Sequence, residues 1–344
     1  MKNISLKDIA SRIGVSPTTV SFVLNGKGRE KRISEEVIAK VEKLVKELDY
    51  KPNQMARGLR TGQTRTIGLM VEDISNHFFA TLAKVIEDEA DRHGYEVLYC
   101  STEDKNERAG KLLRMLQYRQ VDGYILTPTS ALEADIRNML SENKPLVLMD
   151  RYFPGLETHY VVVDNFQGAY MAADHLLKQG YQRIAIVTTS SGQTQMQQRL
   201  TGFRAALSRG DDPHCEPLEL SIPFEKTGKY SIRQISRFLT DKKPDAVFFS
   251  TNYLGIDGLE AIKELGLKMP REIGMISFDD HAIFRLYAPR ITCIAQPLKK
   301  IGERVIGVLM DQIAADGPAE VRQHVLKPEL LIRESCGETG QSSK

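Results

Sequence analysis

The sequence predicts an N-terminal all-α helix-turn-helix headpiece followed by an α/β core of two doubly wound lobes. Three observations point there. Two short amphipathic segments flank a tight glycine-containing turn within the first 26 residues. Near Thr66 the texture changes to apolar runs alternating with amphipathic stretches. The number of these strand–helix units then exceeds what one small sheet holds.

In the headpiece, Ser5 precedes a stretch in which Leu6, Ile9, Ala10 and Ile13 share one helical face, and Gly14 ends it. Ser16 suits an N-cap and Pro17 the first helical position; Val20, Val23 and Leu24 give the next apolar face before Asn25-Gly26 stops the run. Past a basic loop, Ser34 introduces a third helix with Val37, Val41, Leu44, Val45 and Leu48 on its inner side. The three helices close a small core, giving a domain over residues 1–49. Residues 50–65, with Pro52, Gly58 and Gly62, read as a hinge or linker in which 53–59 has room for one or two helical turns.

From Ile67-Gly68-Leu69-Met70-Val71 onward, strand, helix and strand alternate: the helical stretch 78–93, Val97-Leu98-Tyr99, the stretch 108–119, then Tyr124-Ile125-Leu126. The pattern resumes through 145–149, 160–163, 183–187, 246–249 and 273–278, with helices over 165–179, 195–209 and 253–265. Residues 66–335 thus form two parallel-sheet lobes with a cleft between them, and ligands of such sheets bind at the carboxyl ends of the strands. Residues 336–344 read as a short polar tail.

Composition narrows the function. Residues 1–62 carry 13 Lys and Arg against 7 Asp and Glu, a local +6 in a chain of net +2, so the rest is at −4. A small basic domain ahead of a mildly acidic body suits a polyanion for the first part alone. No apolar run reaches the ~18 residues of a membrane span, and the N-terminus lacks a secretory pattern, so a cytoplasmic location is expected. Cys100, Cys215, Cys293 and Cys336 show no paired spacing, so buried free thiols are expected, with no metal and no cofactor.

Leu6-Lys7-Asp8-Ile9-Ala10, Gly14-Val15-Ser16, Thr19-Val20-Ser21 and Leu24-Asn25-Gly26 resemble the signature of the lactose/galactose repressor family. The resemblance continues through Tyr50-Lys51-Pro52-Asn53, Ala56-Arg57-Gly58-Leu59, Asp73-Ile74-Ser75-Asn76-His77-Phe78-Phe79, Met149-Asp150-Arg151, Val163-Asp164-Asn165, Phe278-Asp279-Asp280, Gln296-Pro297 and 328–335, in the family's usual order. It implies a sequence-specific repressor that binds a palindromic double-stranded DNA operator as a homodimer, without enzymatic activity.

By that resemblance the second helix enters the major groove, with base readout by Pro17, Thr18 and Phe22. Phe22 can pack on a thymine methyl but cannot donate a hydrogen bond, so no bidentate guanine contact comes from it. Packing against the third helix is its other possible role. Ser16, Thr19, Ser21, Asn25 and Asn53 suit phosphate contacts, which position without specifying, and Arg57 joins them in the hinge. Lys27-Gly28-Arg29-Glu30-Lys31-Arg32 fits either a backbone-following or a merely solvated loop. Leu59 resembles the family leucine that wedges into a minor-groove step when two hinge helices pair.

The core resembles periplasmic sugar-binding proteins, which places Phe79, Asp150, Arg199, Phe224, Asn252, Asp279 and Gln296 in the cleft. Carboxylates that accept from neighbouring hydroxyls, donors that return the bond and aromatic faces suit a sugar or sugar phosphate. A nucleobase or nucleoside stacked by Phe79 and Phe224 is the alternative in the same architecture. Tyr253 replaces the aspartate usual after Asn252, where it can narrow the cleft or stack on a ligand. Asn165, at a helix start, is expected to be structural. A transport binding protein conflicts with the basic headpiece, and no GxSxG, Walker loop or HExxH supports an enzyme.

Overall fold

The computed structural model describes residues 4–48, 50, 63–208, 217–226, 228–315, 317 and 319–337. The chain divides into two compact units, Met1–Thr64 and Arg65–Lys344.

The first unit holds α1 (Leu6–Ile13), α2 (Pro17–Leu24) and α3 (Glu35–Glu47). Their ends are fixed by neighbours in sequence. The Ser5 side chain accepts from the Asp8 amide while the Asp8 carboxylate accepts from the Ser5 amide at 2.8 Å, a reciprocal cap. Gly14, at φ 76°, takes the left-handed conformation that closes α1. The Ser16 hydroxyl accepts from the Thr19 amide at 3.0 Å, and Ser34 caps α3 in the same way. Ile9, Ala10, Val20, Val23 and Val41 form the buried centre, with the other apolar positions read from the sequence packed around them.

The second unit contains two six-stranded sheets, their strands numbered along the chain. In lobe 1, β1 (Thr66–Val71), β2 (Glu96–Ser101), β3 (Gly123–Leu126), β4 (Leu146–Met149), β5 (Tyr160–Val163) and β11 (Gln323–Leu326) lie in the order β11-β5-β4-β3-β1-β2, all pairs parallel. In lobe 2, β6 (Ile184–Ser190), β7 (Leu218–Pro223), β8 (Ala246–Phe249), β9 (Gly274–Phe278), β10 (Thr292–Ala295) and β12 (Glu329–Leu331) lie in the order β12-β10-β9-β8-β6-β7. There β12 alone runs antiparallel.

Helices cover both faces of each sheet: α4 (His77–Arg92), α5 (Asn106–Tyr118) and α6 (Glu133–Ser141) in lobe 1, and α7 (Asn165–Lys178), α8 (Thr194–Leu207), α9 (Lys229–Lys242), α10 (Asn252–Glu264) and α11 (Ala282–Leu286) in lobe 2. After β10, helix α12 (Leu298–Ala314) returns to lobe 1, where Ile301, Val305 and Leu309 join its core. The chain therefore crosses between lobes three times, after β5, after β10 and between β11 and β12.

Cys336, expected to open a polar tail, belongs to the core instead. Cys336 is fully buried in the lobe 2 core, because Ser335 docks it: its carbonyl accepts from the Met275 amide at 3.0 Å and its hydroxyl donates to the Met275 carbonyl at 2.6 Å. Cys100, Cys293 and Cys336 are free and buried; Cys215 lies outside the described residues. No described helix is long and apolar enough to cross a membrane.

Candidate functional site

The cap that starts α2 also decides which of its side chains face outward. Ser16, Pro17 and Thr18 are exposed and Thr19 half-buried, with the Ser16 and Thr19 hydroxyls 2.8 Å apart. Phe22 is half-buried, and its ring lies 5.7 Å from the Lys31 ammonium. It is not part of the headpiece core cluster. Ser21 is buried, and the Asn25 amide donates to the Ser21 carbonyl at 2.7 Å, so this pair closes the helix end. In the basic loop Arg29 is paired with Glu35 at 2.8 Å, which lowers the positive charge the loop can offer. Asn53, Arg57 and Leu59 lie outside the described residues.

The cleft is built at the carboxyl ends of the strands. Both lobes have the strand order of a doubly wound sheet, so β4 of lobe 1 and β9 of lobe 2 occupy equivalent places. Asp150 follows β4 and Asp279 follows β9, at φ 70° and 68°. Non-glycine residues rarely occupy this left-handed region, and aspartate tolerates it better than most. The two lobes thus each turn one carboxylate into the same cavity, which Phe79, Arg199 and Asn252 also line.

Arg199 reaches the cavity from α8 because Gly202, one turn on, lets α8 approach α7; a Cβ there would sit 2.1 Å from the Phe166 carbonyl oxygen. The Arg199 guanidinium donates to Asn165 Oδ1 at 2.8 Å and to the Ser250 carbonyl at 2.7 Å, and it stacks 3.6 Å above the Phe278 ring. Asn165, expected to be structural, thus orients Arg199. Gln296 does not line the cavity; its amide donates to Asp279 Oδ1 at 2.7 Å and fixes that carboxylate. Phe224 lines a second, outer cavity together with Asp73, Ser75, His77, Ile256 and His281.

Several cavity residues carried no expectation from the sequence. Glu72, directly after β1, forms a buried ion pair with Arg151, which also reaches Asp150 at 3.1 Å and Asp104 at 3.5 Å. Gln193 and Gln195, at the start of α8, add amides: Gln193 donates to Asp104 at 3.0 Å and Gln195 to Asp150 at 3.4 Å, both across the lobes. Asn252 donates to Asn76 Oδ1 at 2.9 Å, a further interlobe bond. The signal that could have found Glu72 is a carboxylate directly after a buried strand, shared by Val71-Glu72, Met149-Asp150 and Phe278-Asp279.

Burial sets the electrostatics. It pushes the Asp279 and Glu72 carboxyls above their ordinary range despite the opposing charges of Arg199 and Arg151 respectively. Burial likewise lowers the Arg199 guanidinium, against the pull of Asp279 and Asp150. For Arg151, burial works against the charge, but Glu72, Asp150 and Asp104 outweigh it and hold the group above its usual value. The cavity can accept from hydroxyl or amide donors, return hydrogen bonds and cover an apolar ring face with Phe79 or Tyr253.

Residues 5–53 match bacterial regulatory proteins of the lacI family, and residues 173–336 match a periplasmic binding protein-like domain. The chain is 33% identical over 343 residues to the HTH-type transcriptional regulator DegA of Bacillus subtilis (strain 168), spanning 96% of this chain and 97% of that one. It is 32% identical over 337 residues to the ribose operon repressor of Haemophilus influenzae, with 96% and 98% covered. Among solved structures, a LacI family transcriptional regulator from Enterococcus faecium with bound ribose superposes with a TM-score of 0.71 at 28% identity, covering 79% of this chain and 98% of that one.

Proposed function

The chain belongs to the lacI family of bacterial regulatory proteins and is a transcriptional regulator, and from that premise we propose that it is a homodimeric repressor whose hold on a palindromic operator is set by a sugar bound between its core lobes. The observation that carries this reading is the pair Asp150 and Asp279, one from each lobe at equivalent strand ends, facing one cavity. A ligand bridging them holds the lobes in one relative setting. It changes DNA affinity by as much as it prefers that setting over the other. The ribose named with one relative and bound in one solved neighbour supports a sugar for this cavity.

On the DNA side, Thr18 reads a base edge, Pro17 and Phe22 make apolar contacts, and Ser16 and Thr19 hold phosphates. One such helix covers too few base pairs for genomic specificity, so two headpieces on a two-fold site are required. Selection of bound duplexes from a random pool, followed by gel shifts at two salt concentrations with and without candidate sugars, tests this. The expected result is a palindromic consensus, affinity that falls steeply with salt, and a shift in affinity with at least one sugar. Enriched sites without two-fold symmetry, or affinity indifferent to salt, count decisively against it.

A further inference from the structure

Both cations of the inner cavity are held by the protein, Arg151 by carboxylates and Arg199 by neutral groups that leave it N–H donors for a ligand. Arg151 is held by Glu72, Asp150 and Asp104, and Arg199 by Asn165, the Ser250 carbonyl and the Phe278 ring. Against these two positive groups stand the carboxylates of Glu72, Asp150 and Asp279 in the cavity wall, with Asp104 behind them. A phosphoryl group needs donors and uncompensated positive charge, and here it would meet a surplus of carboxylate. One acceptor of the wall still lacks a donor: Gln195 Oε1 is buried at the cavity with no hydrogen-bond partner among the described residues. An orphaned buried acceptor is satisfied by a ligand hydroxyl.

The inner cavity does not end the site. Glu72, Asn76, Asn252 and Tyr253 line both it and the outer cavity, so the two are contiguous across the Asn252–Asn76 hydrogen bond. The outer one is the larger, and its walls are different in kind. Phe224 and Tyr253 stand edge to face at 6.2 Å, Ile256 lies beside them, and Ser75 adds a hydroxyl. Flat apolar faces beside scattered polar groups suit a second ring that is stacked rather than gripped.

Resting on the carbohydrate reading above, we propose that the effector is a neutral disaccharide, one ring held among Asp150, Asp279, Gln195 and Arg199, and the second ring in the outer cavity against Phe224 and Tyr253. Phosphorylated sugars are excluded by the inner wall, and a monosaccharide leaves the outer cavity unused.

Calorimetric titration of the intact protein tests this with three sets of probes: glucose, galactose, xylose and ribose; maltose, cellobiose, lactose, sucrose and trehalose; glucose 6-phosphate and trehalose 6-phosphate. At least one neutral disaccharide should bind fivefold or more tighter than both its component monosaccharides and every sugar phosphate. Phe224→Ala should remove that margin and leave monosaccharide affinity within twofold. Ile256→Trp, which fills the outer cavity, should do the same and guards against a folding defect in the first variant. A margin below fivefold, a tighter sugar phosphate, or a margin that survives both variants overturns the proposal and leaves the carbohydrate reading standing. Binding of none of these sugars, with or without binding of hypoxanthine or adenosine, overturns both.

Discussion

On α2, Pro17 and Thr18 stand exposed. In the cleft, Arg151, Arg199 and Asp279 are 4%, 2% and 8% exposed, and each is bonded to another side chain. The first arrangement leaves donors and apolar faces free for an outside partner. The second prepares a binding site by first neutralising and orienting its charges, because an unpaired buried charge is too unfavourable to keep. Substitutions at the exposed positions of α2 should therefore change binding without changing stability, whereas in the cleft the two effects are joined to the degree that a side chain also serves the fold.

Arg199→Ala is where they should be most strongly joined. It removes two buried charge-assisted hydrogen bonds and the stack on Phe278, so the core should lose about 3 kcal/mol or more of stability. Effector affinity should fall beyond about a hundredfold, by the same magnitudes. Urea unfolding of the core and calorimetric titration measure the two effects. Wild-type stability in this variant would mean that the Arg199 contacts do not hold the lobe together.

Asp279→Asn should separate the two. Asparagine keeps an acceptor for Gln296, and burial already disfavours the aspartate charge. Stability should change by less than about 1 kcal/mol while effector affinity drops about tenfold to a hundredfold, the loss of a charged acceptor. Operator binding without effector should be unchanged in gel shifts. Loss of operator binding in this variant would instead make Asp279 a residue of the fold.

In the headpiece the matched pair is Val20→Ala and Phe22→Ala. Val20 is fully buried, so its truncation should destabilise the headpiece by about 1–3 kcal/mol. Phe22→Ala should stay within about 0.5 kcal/mol and alter the selected operator sequence instead. Equal destabilisation by the two in thermal unfolding would place Phe22 in the core and erase the difference between the regions.

That difference also explains what could be read from the sequence. Headpiece helices begin and end through hydrogen bonds three or four residues apart, so Ser5, Gly14, Ser16 and Ser34 announce them. Continuous apolar runs announce the central strands too. The edge strands are different: β7 and β11 alternate in burial, and β12 has only three residues. Nothing local says that β11 and β12, two residues apart, join different sheets; contacts with β5 and β10 decide it. In the cleft, the residue types at 79, 150, 199, 252 and 279 came from the resemblance. Glu72 and Gln195 emerged only with the fold, since each gains its meaning from a partner more than 40 residues away.

Acidity offers the finest test of how the cleft closes. His281 caps α11 by accepting from the Ile283 amide at Nδ1, 3.1 Å, and its ring meets His77 of lobe 1 edge-on at 4.7 Å. Burial, then the charge of His77, holds His281 below the ordinary histidine value; Asp280 opposes this and Arg285 adds to it. A histidine lowered in the closed form stabilises closure fully above its ordinary pKa of about 6.5, and that stabilisation is lost as pH falls through the lowered value. Protonation removes the Nδ1 acceptor and places a charged ring against the His77 ring across the lobes. Effector affinity should therefore be flat from pH 8 to about 6.5 and then decline by less than about tenfold toward pH 5.5, since tenfold needs a full pKa unit between open and closed forms. His281→Asn keeps a capping acceptor without a titrating ring and should flatten the profile. Calorimetry at pH 5.5, 6.5 and 7.5 on both proteins decides it; an unchanged decline in the variant assigns the acid sensitivity to another group, and an increase in affinity on acidification reverses the sign argued here.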